Sequence, residues 1–306
     1  MQAAYAKSTW KNYRMHVNTY IKFTSRFGFP VFPITQKRMI RYSACLSFIL
    51  KSPESILNYL NGIKSVQKLL NFPAFENSPQ LDLVLRGLRR TMQHLVKQAK
   101  PITPAILHAM SKLVRTTEDT VCFAALLTAF YLFLRKSNIA PDSVATFDHQ
   151  RQFTRGTARQ GSKMFLMTLG WTKTIQFKQK KLLLPLVRSR KSSICPETWL
   201  KKMIRRVPAK PHDPLFCLPV KGKLIALTSR RLQARMRTWL AKLKLSPMDY
   251  SLHSLRRGGA TFAFKCSIPS DLIQLMGDWA SNCYRRYIDV TLSKRLKAAS
   301  RVSRRV

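Results

Sequence analysis

The run VCFAALLTAFYLFL, residues 121–134, constrains the fold of this chain more than any other stretch. It predicts a helix from Asp119 to Leu134 that is apolar on nearly all sides, and such a helix is buried inside a domain. The chain is long enough to surround it, because 306 residues with 45% hydrophobic content can form a packed core. Arg135 follows the run directly. A cation there is either a partner for the helix dipole or a functional group.

The charge of the chain indicates a polyanionic partner. There are 55 Lys and Arg against 13 Asp and Glu, a formal net charge of +42. Internal pairing cannot neutralise this excess, so most of the cations face solvent or a polyanion. The segment 1–53 alone has nine Lys or Arg and no acidic residue. We therefore expect double-stranded DNA as the partner, with this segment lying along its phosphates.

Several other classes of protein are disfavoured by what the sequence lacks. It has no run of about 18 or more apolar residues, and the start MQAAYAKSTWKNYR has no apolar signal-peptide core. We expect an intracellular protein without a membrane partner, nuclear if the host is eukaryotic. The six cysteines form no close pairs, and no acidic or Cys/His cluster is present. We therefore expect reduced thiols, no cofactor and no bound metal ion.

A segment with two prolines divides the chain into two parts. Apolar residues recur at helical spacing through residues 1–97, and the segment KQAKPITP then interrupts the pattern. Thr103 and Pro104 resemble an N-cap and first helical residue. We expect an N-terminal helical DNA-binding domain over residues 1–98, a second domain over 99–290 and a basic tail over 291–306.

The second domain is predicted to be mainly helical with one small β-element. Helices are expected at Pro104–Thr116, Pro196–Arg206 and Ser229–Leu243, in addition to the apolar helix. β-Type residues in 164–168 and 175–187 flank WTKT and predict a hairpin with Lys173 near its turn. Taken alone, Lys173 would be interpreted as a solvated turn lysine. The fold class is therefore mainly α with a small β-hairpin, an α+β architecture.

The stretch from Tyr250 to Ile288 carries the most specific chemistry. His253 and Arg256 are three residues apart and share one face of a predicted helix. Gly258 and Gly259 follow, which permits close approach of the backbone to another group, and phosphate is one candidate. A second helix should end at Gly277, before Trp279. A tyrosine near a histidine and an arginine suggests covalent phosphoryl transfer.

Motifs in a fixed order carry a family resemblance. FLRKSN at 133–138 and GWTKTIQ at 170–176 precede H-x-x-R at 253–256, a Met-Gly-x-Trp break and RYI at 286–288. This order resembles the tyrosine recombinases, which are phage integrase-like, and among them the recombinases of Crypton and DIRS-type transposons. The resemblance implies a core-binding domain and a catalytic domain that clamp DNA. It also implies a site-specific recombinase or integrase of a mobile element, acting through a 3′-phosphotyrosyl intermediate without metal or ATP.

The same resemblance assigns roles to six residues. Tyr287 would be the nucleophile and Lys173 the general acid for the leaving 5′-hydroxyl, while His253 would bind phosphate or accept the tyrosine proton. Two guanidiniums and an indole N–H would stabilise charge on the phosphate. The full catalytic set is Arg135, Lys173, His253, Arg256, Trp279 and Tyr287.

Two positions depart from the family pattern. The family commonly has an acidic residue three positions after its first arginine, where this chain has Asn138. It usually has His or Trp nine residues before the tyrosine, where this chain has Asp278, with Trp279 one position later. We favour Trp279 as the phosphate donor, because an ionised carboxylate cannot donate a hydrogen bond.

Further basic residues are candidates for contact with DNA: Lys7, Lys11, Arg14, Lys136, Arg230, Arg231, Arg235 and Arg257. Self-association on DNA, as a tetramer in the synaptic complex, is expected from the resemblance. Two alternatives remain. One is a catalytically inactive DNA-binding protein derived from such an enzyme, and the other is an enzyme resembling a type IB topoisomerase.

Overall fold

The computed structural model describes residues 4–92, 98–172, 175, 181–189 and 191–281. It divides into two compact units, Met1–Lys97 and Gln98–Val306. No helix in these described ranges combines the length and apolar character needed to cross a bilayer.

The first unit is built from four helices in its described part. These are α1 (Lys7–Arg26), α2 (Gln36–Ile49), α3 (Pro53–Leu69) and α4 (Pro79–Thr91). Thr35 and Ser78 cap α2 and α4 by accepting backbone N–H bonds, as N-cap hydroxyls do. Side chains from all four helices form one apolar core, which includes Tyr20, Tyr42, Leu60 and Leu81.

The second unit surrounds the apolar helix predicted from the sequence. Here α6 (Thr117–Tyr131) is buried from Asp119 to Phe130, and a capping box between Thr116 and Asp119 fixes its start. Around it lie α5 (Pro104–Ser111), α8 (Pro196–Arg206), α9 (Ser229–Lys242) and α10 (His253–Lys265). The short α7 (Lys136–Ile139) follows α6, and α11 (Ser270–Met276) is the last described helix.

Two small antiparallel sheets complete this unit. Strands β1 (Ala158–Gln160), β2 (Met164–Leu169) and β3 (Leu182–Val187) form one sheet in that order, with Met164 opposite Val187 and Leu169 opposite Leu182. Strands β4 (Cys217–Val220) and β5 (Lys223–Ala226) form the other. Strand β2 ends at Leu169, three residues before Thr172, and the predicted turn residue Lys173 lies outside the described residues.

The predicted fold class, mainly helical with a small β-element, is confirmed. Helix α8 has the predicted bounds, whereas α5 ends at Ser111 and not at Thr116. Its shorter length follows from the capping box, since Thr116 starts the next helix. The strands β1, β4 and β5 were not predicted, because three- and four-residue strands leave too short a periodic pattern.

Candidate active site

The candidate site is organised around the turn that follows α11. Gly277 caps this helix, Asp278 has a positive φ of 50°, and Trp279 folds back over the glycine. A Cβ at position 277 would overlap the indole ring, so only glycine fits there. Two arginines hold the turn, because Arg256 donates to the carbonyl of Gly277 (2.7 Å) and Arg135 to that of Asp278 (2.9 Å).

Arg256 is fixed on three sides. Its guanidinium also donates to the carbonyl of Phe133, and it lies face-on to the ring of Trp279 with Cζ 3.8 Å from the centroid. Phe133 itself packs on Trp279 and takes a positive φ of 48°. Only 2% of Arg256 is exposed, so the residue is part of the packed structure as well as of the candidate site.

Arg135 reaches the same turn from the end of α6. Its guanidinium pairs with the carboxylate Oδ2 of Asp278 (3.3 Å), in addition to the carbonyl contact. The hydroxyl of Thr172 donates to the same carboxylate oxygen. The Arg135 side chain remains 22% exposed. It is therefore held on one edge by protein and is open to solvent elsewhere.

Asn138 occupies the position where the family commonly has an acid, and its side chain bonds to backbone carbonyls. It is 2% exposed, and its Nδ2 donates to the carbonyls of Arg151 (3.0 Å) and Trp171 (3.2 Å). Arg151 in turn lies over the Trp171 ring, with Cζ 4.2 Å from the centroid. Asn138 thus supports the backbone that leads into Thr172.

His253 is the first residue of α10, and Arg256 follows on the next turn of the same helix. Desolvation and the guanidiniums of Arg256, Arg257 and Arg135 lower the pKa of His253. The side chain of His253 is exposed to water, and the three neighbouring guanidiniums disfavour a positive charge on its ring. Its ring is therefore neutral at neutral pH and has a nitrogen able to accept a proton.

At Gly258 and Gly259 the close approach is to protein and not to phosphate, which was one candidate. A Cβ on Gly258 would overlap the carbonyl of Ile102, and one on Gly259 would overlap the carbonyl of Phe130. These two glycines let α10 pack tightly against α6 and the segment before α5. Helix α10 carries Arg256, which donates to the carbonyl of Phe133, two residues before Arg135.

The structure brings four of the six predicted catalytic residues into this region: Arg135, His253, Arg256 and Trp279. Trp279 is 6% exposed, and its ring face is covered by Arg256. Lys173 and Tyr287 lie outside the described residues. Their predicted roles, and the choice between Asp278 and Trp279 as phosphate ligand, stay predictions.

The predicted DNA-contacting residues fall into two groups. Lys7, Lys11 and Arg14 are exposed along α1, and Arg230 is exposed at the start of α9. Others have partners within the protein: Lys136 with Asp142 (2.9 Å), Arg257 with the carbonyl of Ala99 (3.1 Å), Arg231 with Glu118 (2.6 Å) and Arg235 with Asp119 (3.2 Å). The pair of Lys136 and Asp142 lies at the exposed surface.

The acidic N-terminus of α6 explains two members of the second group, Arg231 and Arg235. Glu118 accepts two hydrogen bonds from Arg231, which lower the pKa of the Glu118 carboxyl despite its partial desolvation. Arg230, Arg231 and Arg235 of α9 were all predicted from the sequence to contact DNA. The pairing was not predicted because Glu118 and Asp119 are more than a hundred residues away from α9 in the sequence.

Thr172 was also missed as a contributor to the site. The signal available in the sequence was its position directly before Lys173 in the GWTKTIQ motif. Among the described residues, no three His, Cys, Asp or Glu side chains are grouped in a way that could bind a metal ion.

Comparisons with known proteins place the fold. No family profile and no curated protein sequence matches the chain. Among solved structures, it is similar to the XerH site-specific recombinase bound to palindromic difH substrate in a post-cleavage complex, at 16% identity and TM-score 0.66, covering 95% of this chain and 78% of that one. It is also similar to the Tn1549 transposon integrase bound to transposon right-end DNA, at 12% identity and TM-score 0.65, covering 99% and 96%.

A third similarity is to a dimer of lambda integrase (residues 75–356) on a COC′ core site, at 13% identity and TM-score 0.59, covering 94% of this chain and 90% of that one. At these identities the likeness establishes the fold alone. The chain has the fold of tyrosine recombinases and integrases over the length of both their core-binding and catalytic domains.

Proposed function

We propose that the protein is a site-specific DNA recombinase or integrase of a mobile element, which cuts and rejoins DNA through a 3′-phosphotyrosyl intermediate. The observation that carries the proposal is the convergence of Arg135 and Arg256 on one turn, with His253 on the helix of Arg256. The order of sequence motifs and the full-length likeness to a transposon integrase support it.

The two arginines suit a phosphodiester substrate. A guanidinium is always charged and can bind two phosphate oxygens with parallel hydrogen bonds. Preorganised donors of this kind stabilise the charge that develops on non-bridging oxygens during displacement at phosphorus. Arg135 and Arg256 are both preorganised, because backbone carbonyls fix their orientation before any DNA is present.

The proton transfers are assigned to the remaining residues. Tyr287 attacks the phosphorus through its phenolate oxygen, and the neutral ring of His253 accepts the phenolic proton or donates to the phosphate. Lys173 gives a proton to the departing 5′-oxygen. The new bond joins the tyrosine to the 3′-phosphate and leaves a free 5′-hydroxyl. Attack by a 5′-hydroxyl reverses these steps, so rejoining needs no ATP.

A DNA-binding protein without cleavage activity is the second candidate. The near-complete burial of Arg256 and the pairing of Arg135 with Asp278 favour it, since both reduce the positive charge offered to a phosphate. The presence of all six catalytic residue types in family order favours the enzyme.

A suicide substrate distinguishes the two candidates. A nicked duplex that loses a short fragment after cleavage traps the covalent intermediate, which a denaturing gel resolves as a protein–DNA adduct. If the protein is a recombinase, we expect an adduct. The Arg135→Lys variant should then form almost no adduct but should still bind DNA. DNA binding with no adduct on any of a panel of nicked duplexes of random sequence would favour the inactive protein.

A further inference from the structure

The first arginine of the site lacks the acidic neighbour that tyrosine recombinases commonly have, because Asn138 occupies that position and faces two backbone carbonyls. We propose that Asp278 is the positioning residue that replaces it, and that its carboxylate holds Arg135 in the orientation needed to bind the scissile phosphate. This inference rests on the proposed recombinase function, which it extends to a residue with no assigned role.

Two contacts from one residue fix the guanidinium plane. Arg135 donates through one terminal nitrogen to Oδ2 of Asp278 (3.3 Å) and through the other to the Asp278 carbonyl (2.9 Å). A guanidinium has five N–H donors in a rigid fork. Asp278 uses two of them, so three remain for a phosphate. Because these two hydrogen bonds already fix the Arg135 side chain, it loses little conformational entropy when it binds the substrate.

Asp278 is itself fixed from several directions. Thr172 donates its hydroxyl hydrogen to the same carboxylate, and the side chain is only 10% exposed. The preceding carbonyl, that of Gly277, is held by Arg256. The backbone at Asp278 has a positive φ, which Asp and Asn tolerate better than most residues. The carboxylate therefore has one well-defined position.

A direct contact between Asp278 and the phosphate is disfavoured by charge. An ionised carboxylate only accepts hydrogen bonds and repels an anionic phosphate. Its effect on the reaction must pass through Arg135. The ion pair also links the turn after α11 to Thr172, which directly precedes the predicted general acid Lys173.

The first test measures single-turnover adduct formation on a nicked duplex. Asp278→Asn keeps the shape and the tolerance of positive φ but removes the charge, and we expect it to slow cleavage about tenfold with unchanged DNA affinity. Asp271→Asn, an exposed acid in the first turn of α11, is the matched control and should cleave at the unmodified rate. A rate for Asp278→Asn equal to or above that of the control would overturn the inference.

The second test uses a readout that a merely structural role would not alter. In Arg135→Ala, added methylguanidinium should restore part of the adduct formation, because Asp278 can hold the free cation in the vacated position. In Arg135→Ala/Asp278→Asn the same concentration should restore clearly less. Equal restoration in both proteins would contradict a role for the carboxylate in holding the guanidinium.

The inference and the proposed function fail in different ways. If the unmodified protein forms no adduct, the proposed function fails. The ion pair is then judged without DNA from the melting temperatures of Arg135→Ala, Asp278→Asn and the double variant. Coupled residues give a double-variant shift smaller than the sum of the single shifts. Additive shifts would show that Asp278 does not hold Arg135.

Discussion

The guanidinium of Arg256 lies 3.8 Å above the centre of the Trp279 ring, while two of its nitrogens donate to the carbonyls of Phe133 and Gly277. This arrangement joins α10, the end of α6 and the turn after α11 at one buried cation. Arg256, which is proposed to bind phosphate, therefore also stabilises the packing of these three segments.

Arg256→Lys should lower both stability and cleavage. An ammonium has a different donor geometry and cannot reproduce the planar fork that reaches two carbonyls while stacking on Trp279. We expect a loss of about 1–3 kcal/mol in the free energy of unfolding, the cost of a buried polar group left unsatisfied. Thermal denaturation measures this loss. An unchanged melting temperature would contradict the structural part of the role.

Gly259→Ala should destabilise the second unit because a Cβ there overlaps the carbonyl of Phe130 and the ring of Phe133. The expected loss is about 1–3 kcal/mol, as for overpacked cores. Gly87→Ala in α4 is the matched control, since nothing lies within 4 Å of its added Cβ. That exposed helical substitution should raise stability by about 0.5–1 kcal/mol. A stabilised Gly259→Ala would contradict the close packing of α10 on α6.

The pH dependence of cleavage should reflect the lowered pKa of His253. Because this pKa lies below the usual value of about 6.5, the ring is mainly neutral at neutral pH and becomes protonated as the pH falls further. The rate of adduct formation should stay at its neutral-pH value down to about pH 6.5 and should decrease at lower pH. The ring's contribution to folding stability is likewise complete above about pH 6.5 and is lost as the pH falls further.

His253→Gln serves as the comparison for that profile. This variant should cleave more slowly than the unmodified protein. Its cleavage rate should also decrease less at acid pH, because it has no imidazole to protonate. If the unmodified protein lost its activity on going from about pH 6 to about pH 8, a protonated His253 would be required and the assignment of a neutral ring would be wrong.

Arg230→Ala and Arg231→Ala should separate DNA contact from folding. Arg230 is exposed, so its loss should weaken DNA binding. The slope of log affinity against log salt should become shallower by about one, the change expected for one lost phosphate contact. Arg231 is paired with Glu118 by two hydrogen bonds. Its loss should mainly lower the melting temperature, most clearly near neutral pH where Glu118 is ionised. A reversed pattern would show that the Glu118 pair opens on DNA.

Local sequence patterns predicted the helical elements well, because apolar periodicity, caps and prolines act within a few residues. The buried α6, the bounds of α8 and the stop at Gly277 follow from such patterns. The partners of the site residues could not be obtained in this way. The contacts of Arg135 with Asp278 and of Arg256 with Phe133 join residues far apart in sequence. They depend on how α10 packs on α6.

The same limit explains the two glycines of α10. The sequence correctly indicates close backbone approach at Gly258 and Gly259, but it does not say what approaches. Phosphate and a neighbouring carbonyl are equally consistent with a missing Cβ. The carbonyls of Ile102 and Phe130 fill these positions.

The nucleophile is tested most directly by mapping the covalent adduct. The protein is trapped on a nicked suicide duplex, digested and analysed by mass spectrometry to locate the nucleotide-bearing peptide and residue. Tyr284, three residues before Tyr287 in the sequence, is the alternative nucleophile. We expect the nucleotide to be attached to Tyr287, so that Tyr287→Phe binds DNA but forms no adduct and Tyr284→Phe still forms one. An adduct that persists in Tyr287→Phe, attached to Tyr284, would contradict the assignment of the nucleophile.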